Sequence, residues 1–411
     1  MFRQKYTIAL FVVLPAWMAA CDSPEDAQPP AVVRDSAGVQ IIENQAPLWS
    51  IDDTWQIETE PALIIGVEDG DAEYEFQAIA DAERLADGSI VVADALAAEL
   101  RVFDAAGRFV RAIGRSGEGP GEFRNLGAVW RYGDSIATWD RSLLRITIFD
   151  SMGNVGRIAT LSASSGESLR PAAAGILETG ALVSRSASVV TPALGEGVHR
   201  AAGEVTLYSA AGQRERALTP LAGEEWVGIT TNDAGLLLTP RPFRRDGYVA
   251  IRDDRIYAGD SDRFDIAVYS GTGVLRQRIR MAGANAPLTA EDVQVHIDAT
   301  LAAQSEEERK RLLRTSLEQT PFPDSYPAYA ALVPDDDGHL WVAESPRAGS
   351  AERHWLVFDS SGRWLGRVIA PARTRVLRAS AGRLLARHVD ELGVQTIRDY
   401  RIVKRAETPA P

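Results

Sequence analysis

The residues best suited to chemistry in this chain are carboxylates that follow short apolar runs at equivalent positions. Four of them could surround one opening: Asp94, Asp140, Asp260 and Glu344. Carboxylates in that number suit a hard cation such as Ca²⁺, which takes six to eight oxygen ligands. A cation held there would polarise a lactone or an ester for hydrolysis. The alternative is that each carboxylate accepts hydrogen bonds within its own turn, and the recurrence of the position favours that alternative.

Three arginines lie near the same positions and could bind a carboxylate of a ligand: Arg115, Arg124 and Arg141. The guanidinium group offers a planar fork of donors that matches a carboxylate. Together with the four acids, these arginines make up the candidate binding face.

Motifs for covalent or metal-assisted catalysis are missing from the sequence. The chain has no Gly-x-Ser-x-Gly, His-Glu-x-x-His or Cys-x-x-Cys pattern, and its five histidines lack ligand spacing. These absences favour a binding protein over an enzyme. We expect no cofactor, with Ca²⁺ as the one candidate.

The negative net charge of the chain argues against some classes of binding partner. The 411 residues are 45% hydrophobic and carry a formal net charge of −13. Nucleic-acid binding relies on clustered Lys and Arg, and so does adsorption to anionic lipid. We therefore expect no nucleic-acid partner.

The N-terminus has the pattern of an export signal. Residues 1–20 combine a basic start with a short apolar run, too short for a comfortable transmembrane span. The segment Met18-Ala19-Ala20-Cys21 resembles the bacterial lipobox, and Cys21 is the single Cys of the chain. We expect lipidation of Cys21, a tether over 21–32, and a cell-envelope protein facing the periplasm or the exterior. The alternative is a simple secretory signal followed by an unrelated Cys.

The elements that must position these residues recur along the chain. Each unit has alternating apolar runs, a turn acid, an aromatic residue and a glycine turn. The aromatic positions are 103, 149, 208, 269 and 358, at intervals of 46, 59, 61 and 89 residues. The first interval matches a four-stranded propeller blade, and the longer ones require insertions. A β-sandwich or a meander is the alternative.

The two chain ends are predicted to meet in one blade. Residues 64–76 resemble 112–123, which follow an outer strand, while residues 376–403 would supply the three inner strands. Joining both ends in one blade closes the ring and removes exposed sheet edges. We predict an all-β, six-bladed β-propeller over residues 33–403, with a tail at 404–411.

The clearest repeat resembles a known family. Residues 92–94 (VAD), 100–104 (LRVFD) and the glycine-rich loop 114–123 (GRSGEGPGEF) are similar to the NHL repeat. The chain from about 33 to 403 resembles bacterial six-bladed β-propeller lipoproteins. The resemblance implies the fold, and fold alone does not imply function.

A two-helix insertion is predicted at about 288–318, between blades four and five. Thr289 with Asp292 predicts one capping box, and Ser305 with Glu308 predicts a second. The insertion is either a decoration of the rim or a lid.

The sequence favours a lipid-anchored binding or scaffold module. Its partner would be an envelope protein, a peptide or a glycan, and its membrane contact would run through the lipid anchor only. A metal-dependent hydrolase of a lactone or ester is the alternative, and a structural element of an envelope complex is a third interpretation.

Overall fold

The computed structural model describes residues 29–50, 52–162, 169–231, 235–380 and 382–404. The predicted signal peptide, Cys21 and the tail from 405 lie outside these ranges. No helix in them is long and apolar enough to cross a membrane. Four short strands come first: β1 (Ala31–Ser36), β2 (Val39–Asn44), β3 (Gln56–Ile57) and β4 (Leu63–Ile65).

Three antiparallel four-stranded blades follow. Blade one contains β5 (Ile79–Arg84), β6 (Ile90–Asp94), β7 (Glu99–Phe103) and β8 (Phe109–Ile113). Blade two contains β9 (Leu126–Tyr132), β10 (Ser135–Asp140), β11 (Arg145–Phe149) and β12 (Val155–Thr160). The next strands are β13 (Leu169–Ile176), β14 (Leu182–Ser188), β15 (Gly197–Arg200), β16 (Gly203–Tyr208) and β17 (Arg214–Pro220). Blade three consists of β13, β14, β16 and β17.

Blade three is followed by β18 (Glu225–Thr231) and β19 (Gly235–Pro240). Strand β18 lies between β15 and β19 in a separate small sheet. Blade four contains β20 (Gly247–Arg252), β21 (Arg255–Asp260), β22 (Asp265–Ser270) and β23 (Leu275–Met281). Helices α1 (Ala290–Ala302) and α2 (Glu307–Gln319) come next. Blade five contains β24 (Ala331–Pro334), β25 (Leu340–Ala343), β26 (Arg353–Phe358) and β27 (Trp364–Ala370). The last strands are β28 (Thr374–Ser380), β29 (Arg383–Val389) and β30 (Gln395–Val403).

Blade six joins both ends of the chain, as predicted. Strands β28, β29 and β30 form its inner part, and β4 pairs antiparallel with β30 from the outside, Ile65 opposite Ile397. Six apolar clusters fill the ring, and each is shared by two neighbouring blades. One of them joins blade six to blade one. The protein is therefore a closed six-bladed β-propeller.

The five aromatic residues that the repeat pattern identified belong to this core. Each lies at or one residue before the end of the third strand of its blade, and all are buried: Phe103, Phe149, Tyr208, Tyr269 and Phe358. A large ring at this position fills the wedge between two blades, and burying each one contributes about 1.5–3 kcal/mol.

The N-terminal segment forms a strap that the sequence analysis did not predict. Strand β2 pairs in parallel with β23, so β1 and β2 extend blade four outwards. The Trp49 backbone N–H then donates to Leu365 O of blade five at 2.7 Å. Strand β3 finally pairs with β30 of blade six. We call residues 31–57 the N-terminal strap, because they connect three consecutive blades from outside.

The two-helix insertion is confirmed, with one correction to its caps. Thr289 caps α1, and Thr289 and Asp292 exchange the two hydrogen bonds of a capping box. The second predicted box is wrong, because α2 begins at Glu307 with Glu306 as its N-cap and no side-chain cap. Ser305 lies one residue outside the N-cap position and cannot fill it.

Candidate functional site

Asp94 and Asp140 are buried, and backbone N–H groups occupy their oxygens. Asp94 accepts from Gln77 N at 2.9 Å and Ala78 N at 3.0 Å, just before β5. Asp140 accepts from four N–H groups at 2.7–3.0 Å, two just before β9 and two in its own turn. Each carboxylate therefore fastens the end of a second strand to the loop that enters the inner strand of the same blade.

Asp260 and Glu344 occupy equivalent strand ends in blades four and five but are bound differently. Asp260 accepts from Asp262 N at 3.2 Å, and Glu344 accepts from Arg367 at 2.8 Å. The four predicted carboxylates come from four blades, and the structure does not gather them around one point. In the described ranges, the one group of three potential ligands within 4.8 Å is Asp335, Asp337 and His339.

That group lies on the turn between the first two strands of blade five. The buried carboxylate of Asp335 accepts from His339 N at 2.7 Å and Trp341 Nε1 at 3.0 Å. Burial raises the pKa of Asp335, but the hydrogen bonds from His339 and Trp341 outweigh burial and lower it overall. Asp337 is exposed and pairs with Lys404 at 2.9 Å. These contacts describe a hydrogen-bonded turn.

The three predicted arginines have separate surroundings. Arg115 pairs with Glu122 at 2.8 Å, and Arg124 pairs with Glu118 at 2.7 Å. Both acids belong to the glycine-rich loop 114–123, so the charges of these two arginines are compensated locally. Arg141 instead donates to Gly127 O at 3.1 Å and lines the central cavity of the ring.

A central cavity with a volume of about 1190 Å³ lies inside the ring. Every blade contributes to its wall through its innermost strand: β5, β9, β13, β20, β24 and β28. Each of these strands has a neighbouring strand on one side only. The wall therefore presents six strand edges without a neighbouring strand. Side chains bind some of their backbone groups: Val129 N donates to Asp81, and Val129 O accepts from Arg378.

Small side chains explain why the channel is wide. Alanines and glycines from the inner strands or the residue just before them recur in its wall: Ala80, Gly127, Ala128, Ala173, Ala174, Gly175, Ala250, Ala330 and Ala331. Side chains of this size leave the space between facing strands unfilled. The cavity has the size of a small-ligand site.

A chain of alternating charges crosses the channel. Its members, in order of contact, are Arg131, Asp336, Arg252, Glu83, Arg378 and Asp81, and we call them the ion-pair chain. Arg131 lies 3.3 Å from Asp336, which also pairs with Arg252. Arg252 is 3.9 Å from Glu83, and Arg378 pairs with Glu83 at 2.6 Å and with Asp81 at 2.8 Å. Three cations and three anions from five blades thus compensate one another.

Burial and neighbouring charges set the ionisation of the ion-pair chain. Burial by itself would lower the pKa of Arg378, but Asp81 and Glu83 outweigh burial and raise it. Burial lowers the pKa of Arg252, while Glu83 opposes this and the positive charges of Arg131 and Arg378 add to it. The chain therefore depends on each of its carboxylates to balance the guanidinium groups.

Both insertions stand beside the upper mouth, the end at which the inner strands begin. The sheet of β15, β18 and β19 and the helices α1 and α2 all follow second or outer strands of blades three and four. Arg241 Nε donates to Pro321 O at 2.7 Å and so connects the sheet to the helical insertion. No residue of α1 or α2 is among the described residues that line the cavity. The helices thus flank the opening on one side without covering it.

Comparison with known proteins agrees with this architecture. Residues 72–154 match a family model, DUF5128, described as a 6-bladed beta-propeller. No curated protein matches the chain.

Solved structures with a similar fold include two from Bacteroides. An exported-protein candidate from Bacteroides fragilis has 14% identity and a TM-score of 0.48, over 89% of this chain and 100% of that one. A DUF4221 family member from Bacteroides vulgatus has 9% identity and the same TM-score, over 86% of this chain and 100% of that one. The calcium-binding protein regucalcin from Agrobacterium tumefaciens has 14% identity and a TM-score of 0.38, over 82% and 94%. At these values the similarities carry no inference about ligand or activity.

Two predicted residues, Arg141 and Glu344, line the central cavity, but the sequence analysis missed the ion-pair chain. Its candidates came from strand ends, whereas Glu83, Arg131 and Arg378 lie within or at the end of inner strands. A usable signal was present in the first run of blade one, where two acids interrupt the apolar pattern (IADAER, 79–84). Charges in an otherwise apolar inner strand indicate a channel wall.

Proposed function

We propose that this protein is a lipid-anchored binding module of the bacterial cell envelope, and that its central channel holds the ligand, a peptide or a glycan. The observation that carries the proposal is the cavity of about 1190 Å³ between six unpaired strand edges. Ligand sites are typically concave, mostly apolar and supplied with a few placed polar groups. The channel is concave, and its wall combines alanines and glycines with the polar groups of the ion-pair chain.

The hydrolase alternative has weaker support. A metal-dependent reaction at the predicted acids needs carboxylate oxygens that are free to coordinate a cation. In Asp94 and Asp140 these oxygens accept backbone hydrogen bonds. Coordination would remove acceptors from the loops that enter blades one and two, which favours the binding role.

The channel can be tested by filling it. Ala174 is the extra residue of a bulge between Ala173 and Gly175, and it lines the cavity. The full chain would be screened against short peptides and oligosaccharides by thermal shift, and hits would be measured by calorimetry. We expect Ala174→Trp to abolish binding of a hit.

The matched control is Ala172→Trp, on the same strand at an exposed position outside the cavity lining. We expect this variant to bind normally. Equal binding by the native chain and Ala174→Trp would place the ligand elsewhere and reject the channel as the site. The absence of any hit would reject the peptide and glycan classes screened.

The anchor needs a separate test. Cys21→Ser removes the thiol that lipidation requires, so the variant should leave the membrane fraction when expressed in a bacterial host. Full partitioning of Cys21→Ser with membranes would reject lipidation at this residue.

A further inference from the structure

The upper mouth carries a guanidinium group without a partner. Arg375 is the second residue of β28, is exposed, and lines the central cavity. Within the described ranges its side chain makes no hydrogen bond or ion pair. A free guanidinium is the side chain best suited to bind a carboxylate through two parallel hydrogen bonds.

The neighbour of Arg375 adds positive charge. Arg387 lies opposite Arg375 in the register of β28 and β29. It donates to Ile79 O at 2.8 Å, and its Nε is buried without a partner. Burial lowers the pKa of Arg387, and the charge of Arg375 lowers it further, with no carboxylate contributing. The pair therefore forms an uncompensated cationic spot.

Two other cationic groups of the mouth bind carbonyl oxygens. Arg141 donates to Gly127 O, and Arg353 donates to Ser350 O and Glu352 O at 3.0 Å. Glu344 also lines the cavity at this end, and its Oε1 accepts a hydrogen bond from Arg367 Nη2 at 2.8 Å. The mouth thus differs from the ion-pair chain, where every guanidinium faces a carboxylate.

The ion-pair chain limits how a ligand enters. The chain links blade two to blade five and blade one to blade four, which are opposite pairs, and so obstructs passage through the ring. Arg375 precedes Arg378 on the same strand, and the bulge between them leaves a separation of two residues of β29, which corresponds to roughly 7 Å. An extended ligand that enters from above must therefore end inside the channel, close to Arg375.

The channel wall matches a peptide backbone. Inner strands that have no neighbouring strand on the channel side can offer N–H and C=O groups to a chain lying alongside, as in β-strand addition, wherever side chains do not already bind these groups. We propose that the upper mouth binds the C-terminal end of a peptide, with its terminal carboxylate on Arg375. This inference rests on the proposed function, because it needs the channel to be the binding site.

The test compares tetra-alanine with its C-terminal amide, titrated into the full chain by calorimetry. Both probes offer the same backbone, and they differ only in the negative charge of the terminus. We expect the free carboxylate to bind at least about tenfold more tightly, since charge-assisted hydrogen bonds are about twice as strong as neutral ones. Arg375→Gln should remove this difference, and Arg375→Lys should retain part of it.

The control is Arg276→Gln, an exposed arginine on the outer strand of blade four, which should keep the native preference. Equal binding of acid and amide, or no binding of either, would overturn the inference. An unchanged preference in Arg375→Gln would overturn it too. Tighter binding of trigalacturonate than of tetra-alanine would reject a peptide in favour of an acidic glycan.

The proposed function and this inference fail differently. If Ala174→Trp blocks both tetra-alanine probes but acid and amide bind equally, the channel remains the site and the role of Arg375 is rejected. If Ala174→Trp leaves peptide binding unchanged, both proposals are rejected.

Discussion

Arg131 of blade two and Asp336 of blade five lie 3.3 Å apart, although their blades stand on opposite sides of the ring. Asp336 also pairs with Arg252 of blade four. One carboxylate therefore holds two guanidinium groups of the cavity lining. In a propeller whose core lies between neighbouring blades, these contacts act directly across the ring.

Replacing that carboxylate should destabilise the protein. In Asp336→Asn, Arg131 and Arg252 lose their shared anion while their positive charges remain close together. We expect a loss of about 2 kcal/mol in the free energy of unfolding, between the values for exposed and buried pairs. Urea denaturation measures it. Asp337→Asn is the control, because its partner Lys404 is partly exposed, and it should cost under about 1 kcal/mol. Equal losses would contradict a special role for the crossing pair.

The acids at the strand ends should stabilise the fold through their hydrogen bonds and should not bind a metal. Asp140→Asn leaves one acceptor oxygen where four N–H groups now donate, so we expect a loss of about 3 kcal/mol. Asp150→Asn, in an exposed turn of the same blade, should cost under about 1 kcal/mol.

The same measurement in millimolar Ca²⁺ and in EDTA should give equal unfolding midpoints for the native chain. A cation at 100 times its dissociation constant would add about 2.7 kcal/mol. A Ca²⁺-dependent rise that disappears in Asp140→Asn would restore the metal site.

Acid should weaken the helical insertion. His296 of α1 packs against Phe243 at 4.9 Å and Phe322 at 6.3 Å between ring centroids, and burial lowers its pKa. Below its unfolded pKa of about 6.5 the unfolded chain binds more protons, so stability falls as pH drops towards the folded pKa. We expect His296→Phe to flatten this dependence between about pH 7.5 and about pH 5.5.

Part of the slope should remain in that variant, because burial and Arg398 also lower the pKa of His388. Thermal midpoints across the pH range provide the measurement. A slope unaffected by His296→Phe would show that this histidine does not titrate with unfolding.

The N-terminal strap should contribute measurable stability through Asn44. This buried side chain donates to Gly362 O at 3.0 Å and Arg280 O at 3.2 Å, and accepts from Trp364 N at 2.8 Å. Asn44→Ala leaves these backbone groups unpaired, and we expect a loss of about 2–3 kcal/mol in chemical denaturation. The exposed Asn154→Ala is the comparison and should change stability little. Similar effects of the two variants would argue against the strap as a link between blades.

Much of the fold could be predicted from the sequence because the blade repeats. The wedge aromatics, such as Phe103 and Phe149, recur with the turn glycines that follow them, and the similarity of 64–76 to 112–123 identified the closing strand. The strap was missed because it follows no repeat. Its pairing with β23 depends on the outer edge of blade four, some 230 residues further along the chain.

The candidate site was harder to predict for a physical reason. Strand-end acids such as Asp94 are conspicuous in sequence, but a carboxylate beside free N–H groups satisfies those groups first. The channel residues come together only when the ring closes, which brings Arg131 into contact with Asp336, 205 positions further along the chain. The spacing of residues along the chain therefore does not predict such a contact.

The strap also determines where a mechanical pull from the N-terminal side would act. Tension on Pro29 first reaches the hairpin of β1 and β2 and its parallel pairing with blade four. It is next resisted at Trp49, whose ring lies against Gly366 with no room for a Cβ at that glycine. The pairing of β4 with β30, which closes the ring, is the last to be strained. Under such a force the N-terminal strap would therefore detach before the ring opens.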